Sequence, residues 1–166
     1  MKSSNRFALL ATVVVALSSL SSVAMAASVN GVANATVLTP IAITATKPLT
    51  FGTFAPGTAA GTVVVTSGGV RSATNALLST SVAGDFGRFT VTGANLTFAI
   101  TAPPTVTLAL AGAPSMIATL SGIASTGTIA SGTALIDFGG SLAVAAAATQ
   151  TAGAYTGSFN MTVEYN

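Results

Sequence analysis

The sequence predicts an all-β protein, an antiparallel immunoglobulin-like or Greek-key β-sandwich. Apolar and polar residues alternate with period two through most of the chain. Turn-forming pairs recur at intervals of roughly ten residues, as in a sandwich of short strands. Thr and Val, which are stiff at χ1 and favour extended backbone, stand where charge is usually found, and only 5% of residues are charged.

The elements follow in chain order. Residues 1–26 carry Lys2 and Arg6, an apolar run from Phe7 to Leu17, and a small-x-small ending at Ala24-Met25-Ala26. That is the pattern of a secretory signal cleaved after Ala26. The apolar run of about eleven residues falls short of the roughly 20 that a membrane span needs, so no span is expected after cleavage. Residues 27–37 then form either an N-terminal extension or a first strand, and residues 38–166 form the sandwich. Val29, Gly31, Ala33, Ala35 and Val37 share one parity in the uncharged stretch 27–37. Such a segment suits addition to an open sheet edge, whether in a neighbouring copy or in its own sandwich, or it remains a frayed tail.

Within the domain, alternation marks strands at Val37 to Ile43, Leu49 to Phe51, 62–66, 89–91, 96–100, 106–110, 115–120 and 135–138. Pro56-Gly57, Gly68-Gly69, Gly93, Pro103-Pro104, Pro114 and Gly139-Gly140 separate them. The Ala-rich stretch 141–149 has a helical composition but follows Gly140 with Leu142 and Val144 alternating. It reads as a strand running into a turn, with a helix as the alternative. The clearest strand is 155–166, where Tyr155, Phe159, Met161, Val163 and Tyr165 share the apolar face.

The residue inventory excludes much chemistry. There is no His and no Cys, hence no imidazole base, thiolate, disulfide or ordinary zinc site. Beyond Ala26 the chain carries Lys47, Arg71 and Arg88 against Asp85, Asp137 and Glu164, a formal side-chain charge of zero. Three scattered cations make no footprint for nucleic acid. Two carboxylates 52 residues apart, Asp85 and Asp137, do not make a calcium site. No cofactor, metal or catalytic residue is expected, and the protein is expected not to be an enzyme. Asp85 and Arg88 are expected to pair on the surface, and Asp137 to cap a turn. A nearly chargeless surface lacks the repulsion that keeps monomers apart, and so suits an assembled state.

The stretches Ala45-Thr-Lys-Pro-Leu-Thr-Phe-Gly-Thr-Phe54, Gly61-Thr-Val-Val-Val65, Phe89-Thr-Val-Thr-Gly93 and Ala152-Gly-Ala-Tyr-Thr-Gly-Ser-Phe-Asn-Met-Thr-Val-Glu-Tyr165 resemble, in that order, a family of secreted bacterial β-sandwich domains of unknown function. The outline is also similar to the archaic chaperone–usher pilins, the spore-coat-U-like group, although those usually carry a disulfide. Gly153 and the penultimate Tyr165 stand where chaperone–usher pilins carry a Gly and a Tyr. The resemblance implies a cell-surface fibre or coat subunit that polymerises by donor-strand complementation. Its partners would be copies of itself, a periplasmic chaperone and an outer-membrane usher. The assembly residues would be Val29, Gly31, Ala33, Ala35, Val37, Gly153, Tyr155, Phe159, Met161, Val163 and Tyr165. The alternative is a monomeric surface binding module, adhesin-like, using end loops such as 57–61 or 79–87.

Overall fold

A computed structural model describes residues 25–166. The signal reading therefore lies outside the described residues, apart from Met25 and Ala26. The chain divides into two units, Met1–Ala35 and Thr36–Asn166. In the first, residues 25–35 form no strand or helix and all are exposed.

The second unit is an antiparallel β-sandwich of twelve strands, with no helix among the described residues. None of the described segments, accordingly, is a helix long and apolar enough to cross a membrane. Its largest sheet is organised by β11 (Thr133–Val144), twelve residues long. The first half of β11 pairs with β6 (Gly87–Thr92), which pairs in turn with β1 (Ala42–Lys47). The second half pairs with both β3 (Gly61–Val65) and β9 (Met116–Ser121). Beyond these lie β4 (Arg71–Thr74) on β3 and β8 (Thr105–Leu108) on β9.

Gly139 and Gly140 permit this junction. A Cβ on Gly139 would collide with the Val65 carbonyl oxygen and lie 2.7 Å from the Thr66 carbonyl carbon. On Gly140 it would lie 2.9 Å from the Thr119 carbonyl oxygen. Side chains there would hold the strands apart, so the pair that reads as a turn signal in the sequence is a close-packing device inside a strand.

A second sheet runs β10 (Thr126–Thr128), β7 (Thr97–Thr101), β12 (Thr162–Tyr165), and β2 (Phe54–Pro56) pairs with β5 (Ala76–Leu78). The Ala-rich stretch resolves as its alternation indicates. Residues 141–144 end β11, and a turn follows at 147–149. β-pairing and the burial of Leu142 and Val144 override the helical preference of the alanines.

Inward parity produces two apolar clusters. One holds Phe51, Val63, Val65, Met116, Ala118, Leu142 and Val144; the other holds Val91, Phe98, Ile100, Ile129, Ile136 and Met161. Each of these side chains larger than alanine contributes roughly 1.5–3 kcal/mol on burial. Two aromatic rings fold over cross-strand glycines: Phe138 over its partner Gly87, and Phe98 over Gly127. The absent Cβ makes room for the ring, and the ring covers the exposed glycine backbone.

The C-terminal region departs from the single strand expected over 155–166. Only Thr162–Tyr165 joins a ladder, on β7. Thr156 makes an isolated bridge with Ala109 on the other sheet, and residues 157–161 make no backbone–backbone hydrogen bond among the described residues. The segment crosses from one sheet to the other, so its alternation is real but its pairing is interrupted.

Candidate functional site

A groove of about 1110 Å³ opens onto the first apolar cluster. Much of its lining comes from residues 47–54 and 150–159, and Phe51, Val106, Met116, Ala118, Phe138 and Leu142 reach into it. These six side chains are all at most 8% exposed. The groove thus has the first apolar cluster as its floor.

The backbone along the groove is open. Leu49 and Phe51 make no backbone–backbone hydrogen bond among the described residues, and residues 157–161 make none. Unpaired N–H and C=O groups beside apolar side chains are a template for another extended segment.

The stretch 47–54 is fixed firmly from the loop 79–86. Thr50 and Asp85 exchange backbone hydrogen bonds of 3.0 and 2.8 Å, and the Thr53 N–H donates to the Val82 carbonyl at 3.0 Å. The Arg71 guanidinium donates to the carbonyls of Ser79 (3.0 Å) and Thr53 (2.7 Å), joining the two segments. Gly52, at φ +68°, meets Val82 so closely that a Cβ would lie 2.5 Å from its carbonyl oxygen. Only glycine fits that backbone and that contact.

Electrostatics reinforce the same side. Lys47 Nζ lies 2.8 Å from Asp85 Oδ2 and 3.6 Å from the centroid of the Phe86 ring. Arg88 forks onto Asp137, with Nη2 donating to Oδ2 at 2.7 Å, and its guanidinium carbon lies 5.2 Å from the same ring. The expected Asp85–Arg88 pair is therefore replaced by two others. The turn role expected for Asp137 gives way to a cross-strand partnership, because the β6–β11 register places it opposite Arg88.

The hydrogen bond from Lys47 holds the Asp85 carboxyl below its ordinary range, and that from Arg88 does the same for Asp137; partial burial opposes both. A carboxylate depressed in the folded state stabilises above its unfolded pKa of about 3.9, and that contribution is lost as pH falls through the folded value. The melting temperature is accordingly expected to hold from pH 8 to about 5 and to fall below about pH 4. Asp137→Asn should flatten the acid limb in thermal melts.

Of the residues expected to act in assembly, Gly153, Tyr155 and Phe159 line the groove. Met161 is buried in the second cluster, and Val163 and Tyr165 pack against that cluster. Val29, Gly31, Ala33 and Ala35 lie in the first unit and Val37 in the second; all five are exposed, Val29 and Val37 at 94% each. Phe51, Met116 and Leu142 fall in stretches the sequence reads as strands, but nothing in their local pattern marks them as members of a site.

A family model for a domain of unknown function, DUF4402, matches residues 41–165. The chain belongs to this family. The DUF4402 match covers the sandwich from β1 to β12, including both stretches that border the groove, and begins after residues 27–37. No curated protein and no solved structure matches the chain. Among the described residues no group of three or more metal-ligating side chains comes together.

Proposed function

We propose that the chain is an exported structural subunit of a cell-surface fibre or coat, polymerising by donor-strand complementation. Residues 27–37 of one copy fill the groove of the next. The carrying observation is the open groove itself. It is floored by core side chains and is bordered at Leu49, Phe51 and residues 157–161 by backbone without backbone partners among the described residues. Buried polar backbone is costly unless paired, and an inserted strand would pair it while covering apolar surface.

The chemistry of residues 27–37 supports them as the occupant. They carry no charge, keep small and apolar residues on one parity, and span about 36 Å when extended. Of the residues expected to act in assembly, Gly153, Tyr155 and Phe159 are among its lining. On this reading the protein is pilin-like, is not an enzyme, and meets a periplasmic chaperone and an outer-membrane usher on its way to the surface.

The exported protein should run as a ladder in mild detergent that collapses to one mass on boiling. Deleting residues 27–37 should leave a single mass in both treatments. Val37→Asp should do the same, since an unpaired carboxylate in an apolar groove costs several kcal/mol. A single mass for the intact chain in both treatments would favour a monomeric binding module. A ladder that survives the deletion would contradict the donor role.

A further inference from the structure

Tyr165 has an attachment that the assembly reading does not use. Its ring packs against the second apolar cluster from β12, while its hydroxyl reaches two distant backbone groups. The hydroxyl accepts from the Ala94 N–H at 2.6 Å and donates to the Thr39 carbonyl at 2.8 Å. Gly93 completes the seat, because a Cβ there would collide with the hydroxyl oxygen.

Thr39 lies in the stretch that leads into β1. Among the described residues, 36–41 form no strand and make no backbone–backbone hydrogen bond. Pro40 restricts Thr39 to extended backbone and fixes its own φ near −65°. A stiff Thr-Pro joint is thus tied to the sandwich through one phenolic oxygen.

We infer that Tyr165 is a positioning residue whose hydroxyl fixes the root from which the N-terminal segment departs, and so sets the orientation of one copy relative to the next. The second half of this statement rests on the donor-strand reading; the first does not. Anchoring at Thr39 restrains the chain at its last residue before Pro40. Without it, residues 36–39 have no other hydrogen-bonded tie to β6 or β12.

Tyr165→Phe keeps the ring and deletes only the hydroxyl, so the packing in the second cluster is retained. In the exported protein, backbone order parameters at Leu38 and Thr39 should fall from about 0.85 to below about 0.6, with Ile41, which packs against the second cluster, and Val63 and Val91 unchanged. The Ala94 amide should exchange roughly tenfold faster. Fibres should have a markedly shorter persistence length in electron micrographs. Gly93→Ala, which drives a methyl group against the hydroxyl, should act in the same direction. Unchanged order at Leu38 and Thr39 in both variants would overturn the anchor. Loosened order with unaltered fibre stiffness would overturn its orienting role. Absence of fibres from the parent protein would instead defeat the donor-strand reading, and the order parameters would still decide the anchor.

Discussion

Alanine at Phe138 is expected to lower the unfolding free energy by about 3–5 kcal/mol, a large share of what a domain of this size possesses. The ring is 2% exposed. It stacks on Phe89 at 5.3 Å between centroids with 22° between planes, and meets Phe159 edge-on at 5.6 Å and 87°. Both arrangements suit the aromatic quadrupole and add to simple burial. It also covers Gly87, which has no side chain with which to fill the space left behind. A cavity bounded by a glycine backbone and two rings that also pack on each other will close poorly, and poor closure places a truncation high in the observed range. Urea unfolding monitored by far-ultraviolet circular dichroism measures the loss directly.

Gly139→Ala is expected to destabilise the domain at the upper end of the roughly 1–3 kcal/mol typical of overpacking, or beyond it. The obstacle is backbone, not a yielding side-chain tip. The new methyl group would meet the Val65 carbonyl oxygen and lie 2.7 Å from the Thr66 carbonyl carbon and 2.9 Å from the Ser67 nitrogen. Relief requires parting β3 from β11, whose register here runs from Gly140–Val65 to Val144–Gly61, or shifting β9, which pairs with Gly139 through Ser121. Either movement breaks ladder hydrogen bonds in the centre of the largest sheet. The same denaturation experiment applies. Gly112, where a Cβ would meet nothing within 4 Å but φ is +76°, serves as a control for conformational strain alone.

The core was readable wherever one face of a strand is buried and paired along its length. Val63 and Val65, Val106, Met116 and Ala118, and Leu142 and Val144 all alternate as their burial requires. Period-two patterning reports which face a residue takes, not what lies beside its backbone. For that reason the alternation through Tyr155, Phe159, Met161, Val163 and Tyr165 predicted one continuous strand, whereas the chain changes sheets between Thr156 and Thr162. The short strands β2, β4, β5 and β10 were missed because three or four residues carry too little pattern. Charge partners were missed because Asp85 and Arg88 are near in sequence but not partners, while Arg88 and Asp137, 49 residues apart, are placed opposite by register. The groove was invisible for a related reason. Its lining side chains look like any core; what distinguishes them is the unpaired backbone beside them.

Donor-strand complementation requires that residues 27–37 bind that groove. The most direct measurement is amide hydrogen exchange on residues 36–166 alone, with and without a synthetic peptide of residues 27–37. New protection is expected at Leu49 and Phe51 and along residues 157–161, the backbone that lacks backbone partners among the described residues. Strong protection should be absent with a peptide carrying Asp at position 37. No protection along either stretch at saturating peptide, or equal protection by the Asp-bearing peptide, would contradict donor-strand complementation.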